Sequence, residues 1–200
     1  MREVRVGRVL AASLHQGIAE VLPARLGFYE HWLQVDRLGK GTVGAARIQA
    51  VLSFLRQEGD AYDGVMRCAG REAARWTVAA MSGLRRRAIG ALPVFLRRRM
   101  LLRIAGRLVR TAWGQSHVSA RLEGRAVRVE VGESIFCTVR EPVSRPLCLF
   151  HAEAYVEILA LFDLPARPVI VTCRGMGSPS CTIELRLAGA AEIDGEAAAA

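Results

Sequence analysis

Val118–Val131 reads V-S-A-R-L-E-G-R-A-V-R-V-E-V, and here the period of the chain changes. Polar and apolar residues alternate on both sides of Gly124, with Val127, Val129 and Val131 set against Arg128 and Glu130. Period-two alternation about a glycine predicts two half-buried strands joined by a tight turn. Ser134–Val139 reads as a third strand, Pro168–Cys173 as a fourth and Cys181–Leu187 as the last, with a Gly/Pro/Ser loop, Arg174–Ser180, before it. Pro146 opens a helix to about Phe162, because proline suits a first helical turn, and Pro165 and Pro168 end it.

Upstream the period is helical. Val9–Leu22 carries apolar residues at helical spacing and stops at Pro23, and Phe28–Val35 continues as a short helix. Gly39, Gly41 and Gly44 mark a loop. Ala45–Arg56 places Ile48, Val51, Leu52 and Leu55 on one face, Asp60–Met81 is a longer helix weakly interrupted by Gly64 and Gly70, and Leu84–Trp113 is another, broken or kinked at Pro93. Helices first and strands later predict an α+β fold, with N-terminal helices packed on a mostly antiparallel C-terminal sheet and one further helix. No repeat or linker divides the chain. One domain is expected over 1–187, helical to about 116 and strand-rich from about 117, with a fraying tail at 188–200.

At 200 residues and 52% hydrophobic, the chain is too apolar for disorder and long enough to bury a core. Its net charge of +9 invites a nucleic-acid or membrane-surface reading. The charge is local. Nine arginines and no acid lie between Leu84 and Arg110, which leaves 19 basic residues elsewhere against 19 acidic ones. No helix-turn-helix, zinc-finger or RNA-binding signature accompanies them, which argues against nucleic acid. The N-terminus has no apolar signal-peptide core and no run is long enough to span a membrane, so the expected location is cytoplasmic.

Five cysteines, an odd number, argue against a disulfide framework. Cys148 lies at the start of the Pro146 helix, and Cys173-x7-Cys181 spans a loop that folds back on one point. Three thiolates and one further donor make a tetrahedral zinc site. His151, one helical turn after Cys148, is the candidate fourth ligand, with Cys137 or water behind it. The alternative is that these cysteines are small core hydrophobes.

The order V-R-V-E-V-G-E-S-I-F-C, R-P-L-C-L-F-H-A-E-A-Y-V-E-I-L and V-I-V-T-C-R-G-M-G-S-P-S-C-T-I-E-L over Val127–Leu187 resembles the 4-vinyl reductase domain family. Gly27–Leu33, G-F-Y-E-H-W-L, also looks like upstream sequence in bacterial relatives. That family includes proteins of bacteriochlorophyll gene clusters and sensor domains of phenol- and xylene-responsive activators. Small subunits of a transport-protein-particle tethering complex (TRAPP) share its fold. The resemblance implies a structural zinc at Cys148, Cys173 and Cys181. The glutamate of the aromatic-sensing relatives falls at Ile170, which cannot ligate.

The resemblance further implies a homodimer and a hydrophobic pocket, with a tetrapyrrole of bacteriochlorophyll metabolism as its best candidate ligand. Phe28, Tyr29, His31, Trp32, Trp76 and Trp113 are the residues read as its lining, though each aromatic is also a plain core candidate. Arg99, Arg103 and Arg107 recur every four residues and are placed to clamp carboxylates. A solvated face, or contact with a membrane surface or partner enzyme, stays open for them. Gly39-x-Gly41-x-x-Gly44 follows helical sequence and not a strand, so it is no dinucleotide fingerprint. The residues favour a binder (carrier, assembly factor or sensor) over a vinyl-group reductase, with an interaction scaffold as the third reading.

Overall fold

The computed structural model describes residues 5–33, 42–124 and 126–187. Strand β1 (Arg5–Gly7) leads into helix α1 (Arg8–Val21), which Pro23 ends. After α2 (Leu26–Leu33), strand β2 (Thr42–Gly44) pairs antiparallel with β1, and α3 (Ala45–Gln57) and α4 (Ala61–Ala79) follow. The arginine-rich stretch forms two helices, α5 (Gly83–Gly90) and α6 (Val94–Ala112). Pro93 separates them, since it cannot donate a helical N–H and its ring clashes with the preceding turn. The Ser82 side chain caps α5 by accepting from the Arg85 N–H at 3.3 Å.

The second half is a hairpin, a helix and a hairpin. These are β3 (Val118–Glu123), β4 (Ala126–Val131), α7 (Leu149–Ala160), β5 (Ala166–Thr172) and β6 (Cys181–Leu187). The four strands form one antiparallel sheet in the order β3-β4-β6-β5. Alternation sets the register: Val127, Val129 and Val131 lie opposite Leu185, Ile183 and Cys181, and all six are buried. Gly124 turns the first hairpin with φ of 62°. The architecture is the α+β arrangement of helices on an antiparallel sheet, with one buried cluster running through both halves.

Helix α4 lies at the centre, against α1 on one side and α7 on the other. The second contact is close because Gly70 has no side chain: a Cβ there would stand 2.6 Å from the Phe150 carbonyl oxygen. The two glycines that weaken α4 as a sequence are thus not equivalent. A Cβ on Gly64 would meet only the Val21 side chain, at 3.1 Å, and no backbone.

Three expectations change. Ser134–Val139 is not a strand; Ile135–Cys137 is a short 3-10 turn. A strand would point Phe136 away from Ile135 and Cys137, whereas the turn buries all three. The Arg56 guanidinium donates to the freed carbonyls of Phe136 at 3.0 Å and Thr138 at 3.2 Å. Helix α7 begins at Leu149, so Cys148 is its cap residue and Pro146 lies outside it. Gly44 lies in β2, which no alternating run announces. Gly39, Gly41, the end of the helix read to Val35 and the tail at 188–200 lie outside the described residues. Among the described residues, no helix is long and apolar enough to cross a membrane.

Candidate functional site

Four segments deliver four thiols to one point. Cys137 closes the 3-10 turn after β4, Cys148 caps α7, Cys173 follows β5 and Cys181 opens β6. Their sulfurs all lie within 4.8 Å of one another, and all four residues are buried and free of disulfide bonds. Cys137 Sγ stands 3.4 Å from Cys181 Sγ and 3.6 Å from Cys173 Sγ. A tetrahedral ion with metal–sulfur bonds of about 2.3 Å separates its ligands by about 3.8 Å, close to these spacings.

Backbone donors complete the group. The Leu147 N–H points at Cys173 Sγ at 3.3 Å, and the Arg174 N–H points at Cys181 Sγ at 3.4 Å. Hydrogen bonds from the Cys137 and Cys148 thiols hold Cys173 and Cys181 below the usual thiol range, while Cys148 is pushed up by the same contacts. The arrangement favours thiolate at the two hairpin cysteines, and thiolate is the form that ligates.

The structure places His151 outside this group. Its Nε2 lies 2.9 Å from Ser134 Oγ, and its ring stands edge-on to Phe136 and Phe150. Burial lowers its pKa to about 4, so the ring is neutral at pH 7. One helical turn after Cys148 is the right spacing for a shared helix face. The cap geometry of Cys148 takes its sulfur out of the helical register, and the turn at Ile135–Cys137 supplies Cys137 instead. The remaining cysteine, Cys68, donates to Glu20 Oε2 at 3.1 Å, away from the cluster.

A cavity of about 360 Å³ opens between α6 and β3. Strand β3 is exposed along nearly its whole length, and α6 lies against it. The walls are Leu102, Val118, Ala120 and Leu122, with Arg99, Arg103 and Arg110 along α6. Tyr155, from α7, forms the floor. It is fully buried, and its hydroxyl has no hydrogen-bond partner. Gly106 keeps this floor open, since a Cβ there would stand 3.2 Å from the Tyr155 hydroxyl and 3.5 Å from Arg110 Nη1. Arg107, read with Arg99 and Arg103, turns instead to a second cleft of about 420 Å³ with Arg85, Met81, Ile104 and Leu108.

The six residues read as pocket lining do not converge on one cavity. Phe28 packs edge-on against Tyr29 and Phe54, and Trp32 lies against Phe54 and beside an exposed His31. The Tyr29 hydroxyl donates to Glu58 Oε1 at 3.0 Å. Trp76 lies on α4, and Trp113 ends α6 where it bridges to Val6. None of the six lines either cavity.

No protein-family model matches the sequence, and no curated protein matches it. Solved structures match the fold. An H-NOX protein from S. oneidensis, in its Fe(II)NO ligation state, shares 12% identity over 91% of this chain and 99% of its own, with a TM-score of 0.55. A mutant H-NOX protein from K. algicida, Fe(II) and unliganded, shares 11% over 94% of this chain and 99% of its own, with a TM-score of 0.58. The phenol-responsive sensory domain of the transcription activator PoxR, with phenol, shares 17% over 72% of this chain and 75% of its own. Its TM-score is 0.48.

The fold is thus H-NOX-like, and the 4-vinyl reductase resemblance is corrected. That resemblance rested on about 60 C-terminal residues, whereas the likeness to H-NOX proteins runs along nine-tenths of the chain. The kinship with TRAPP small subunits and the link to bacteriochlorophyll biosynthesis and photosynthesis fall with it. The cysteine cluster stands on its own geometry.

Proposed function

We propose that this chain is a small-molecule-binding domain whose helix-to-hairpin junction is closed by a zinc ion at Cys137, Cys148, Cys173 and Cys181. The observation that carries the metal is the convergence of four buried thiols from four segments. Four sulfur donors close a tetrahedral site and leave no position for a substrate, so the ion's role is structural. Tetrahedral sulfur ligation also suits iron, and the metal analysis separates the two.

The H-NOX neighbours were solved in Fe(II) and Fe(II)NO states. Their fold is compatible with a tetrapyrrole ligand, the class expected from the sequence. Neither cavity offers a metallated one a histidine or a cysteine, and the only buried histidine, among the described residues, is hydrogen-bonded to Ser134. The ligand is therefore read from this chain's own cavity residues.

Metal content is the test. Purified protein is expected to hold about one zinc per chain, lost in Cys137→Ser as fully as in Cys173→Ser and kept in His151→Asn. Metal-free wild type, or zinc lost with His151 and kept without Cys137, overturns the assignment.

A further inference from the structure

We propose that the cavity between α6 and β3 binds a small organic acid, with its carboxylate held by Arg99, Arg103 and Arg110 and its apolar body against Leu102, Val118 and Leu122. This deepens the reading of a small-molecule-binding domain and does not depend on the metal. Three observations converge. Among the described residues none of the three arginines forms an ion pair, and no acid lines the cavity. Three guanidinium groups along one wall repel one another, and an anion between them removes that cost. The floor then holds a fully buried tyrosine hydroxyl without a partner, an arrangement folded proteins seldom leave unexplained.

Burial pushes the Tyr155 hydroxyl up from its ordinary pKa, so at neutral pH it is a protonated donor. A carboxylate oxygen near Gly106 meets that donor and the Arg110 guanidinium together. Gly106 supplies the space, since any side chain there stands against both. The opposite wall selects the rest of the molecule. Val118, Ala120 and Leu122 on β3, with Leu102 beside them on α6, offer only apolar side chains, which a bare inorganic anion leaves uncovered. A volume of about 360 Å³ holds a one- or two-ring acid or a medium-chain one.

The test titrates zinc-loaded protein with benzoate, 2-naphthoate and decanoate, and with 2-naphthalenemethanol and 2-naphthyl phosphate beside them. Saturable binding of at least one carboxylate is expected, with 2-naphthalenemethanol at least about tenfold weaker than 2-naphthoate where 2-naphthoate binds. Arg99→Gln with Arg103→Gln is expected to weaken that binding at least about tenfold, and Tyr155→Phe about threefold or more. Metal content and circular dichroism are measured on the same samples, so a folded, zinc-bound variant that has lost the acid reports on the cavity alone. Saturable binding of none of the three acids overturns the proposal. Equal affinity for the alcohol, tight binding of the phosphate ester without any carboxylate, or binding indifferent to the arginine pair does so as well.

Discussion

His151 lies at the boundary between packing and chemistry, and its titration is readable. The ring is buried against Phe136 and Phe150, and its pKa falls from 6.5 to about 4. The folded state thus refuses a proton that the unfolded chain accepts. Stability is fully present above pH 6.5 and is lost as pH falls toward 4, because the unfolded state binds more protons in that window. The loss approaches about 3 kcal/mol at the acid end. Denaturant unfolding at a series of pH values is expected to show a steeper acid-side decline for wild type than for His151→Asn; parallel curves refute it. The same residue shows what spacing conveys and what it does not. Cys148, Cys173 and Cys181 were legible, because a loop between strands returns to its starting point whatever the surroundings. The choice between His151 and Cys137 depended on whether residues 134–139 run straight or turn, and alternation over so short and apolar a run does not decide that.

Among the elements, the helices and both C-terminal hairpins are readable from period alone, because burial on one face imposes the period. The contacts between elements are less so. Gly70 looks like a weak point in α4, yet it sets the approach of α7: its missing Cβ would meet the Phe150 carbonyl at 2.6 Å, and backbone cannot step aside. Gly70→Ala is therefore expected to destabilise by about 1–3 kcal/mol, the cost of overpacking. Gly90, at the end of α5, meets nothing within 4 Å, so Gly90→Ala is expected to be neutral or to gain up to about 1 kcal/mol from helix propensity. Chemical denaturation of the two variants checks the contrast, and equal effects would remove the argument for close packing. On α6 the helical period also sorts the arginines. At 100° per residue, Arg99, Arg103 and Arg110 fall within about 40°, while Arg107 stands about 80° from Arg99. The split between the two clefts follows from that angle. Tyr155 was one of several aromatics that the sequence offered as pocket lining, and the approach of α7 to α6 is what selects it from them.

For the molecule as a whole, α7 ties the two candidate sites together. It starts at Cys148 in the thiol cluster and, two turns later, offers Tyr155 to the α6–β3 cavity. The excess charge lies on two helices, three of the nine arginines of Leu84–Arg110 on α5 and six on α6. A metal at the cluster links residues as far apart as Cys137 and Cys181, 44 positions along the chain. In the cross-link model a closed loop of that size removes unfolded-state entropy worth about 4 kcal/mol. For a chain of this length that corresponds to a fall in Tm on the order of 10 °C when a chelator strips the ion. The loss is expected to be local first. Hydrogen exchange after metal removal should speed up at 134–149 and 172–182, the segments that carry the ligands, while α1 and α3 keep their protection within the helical half of the core. Uniform acceleration would mean that the ion holds the whole fold and not a junction, and unchanged exchange would mean that the four thiols pack as ordinary core residues.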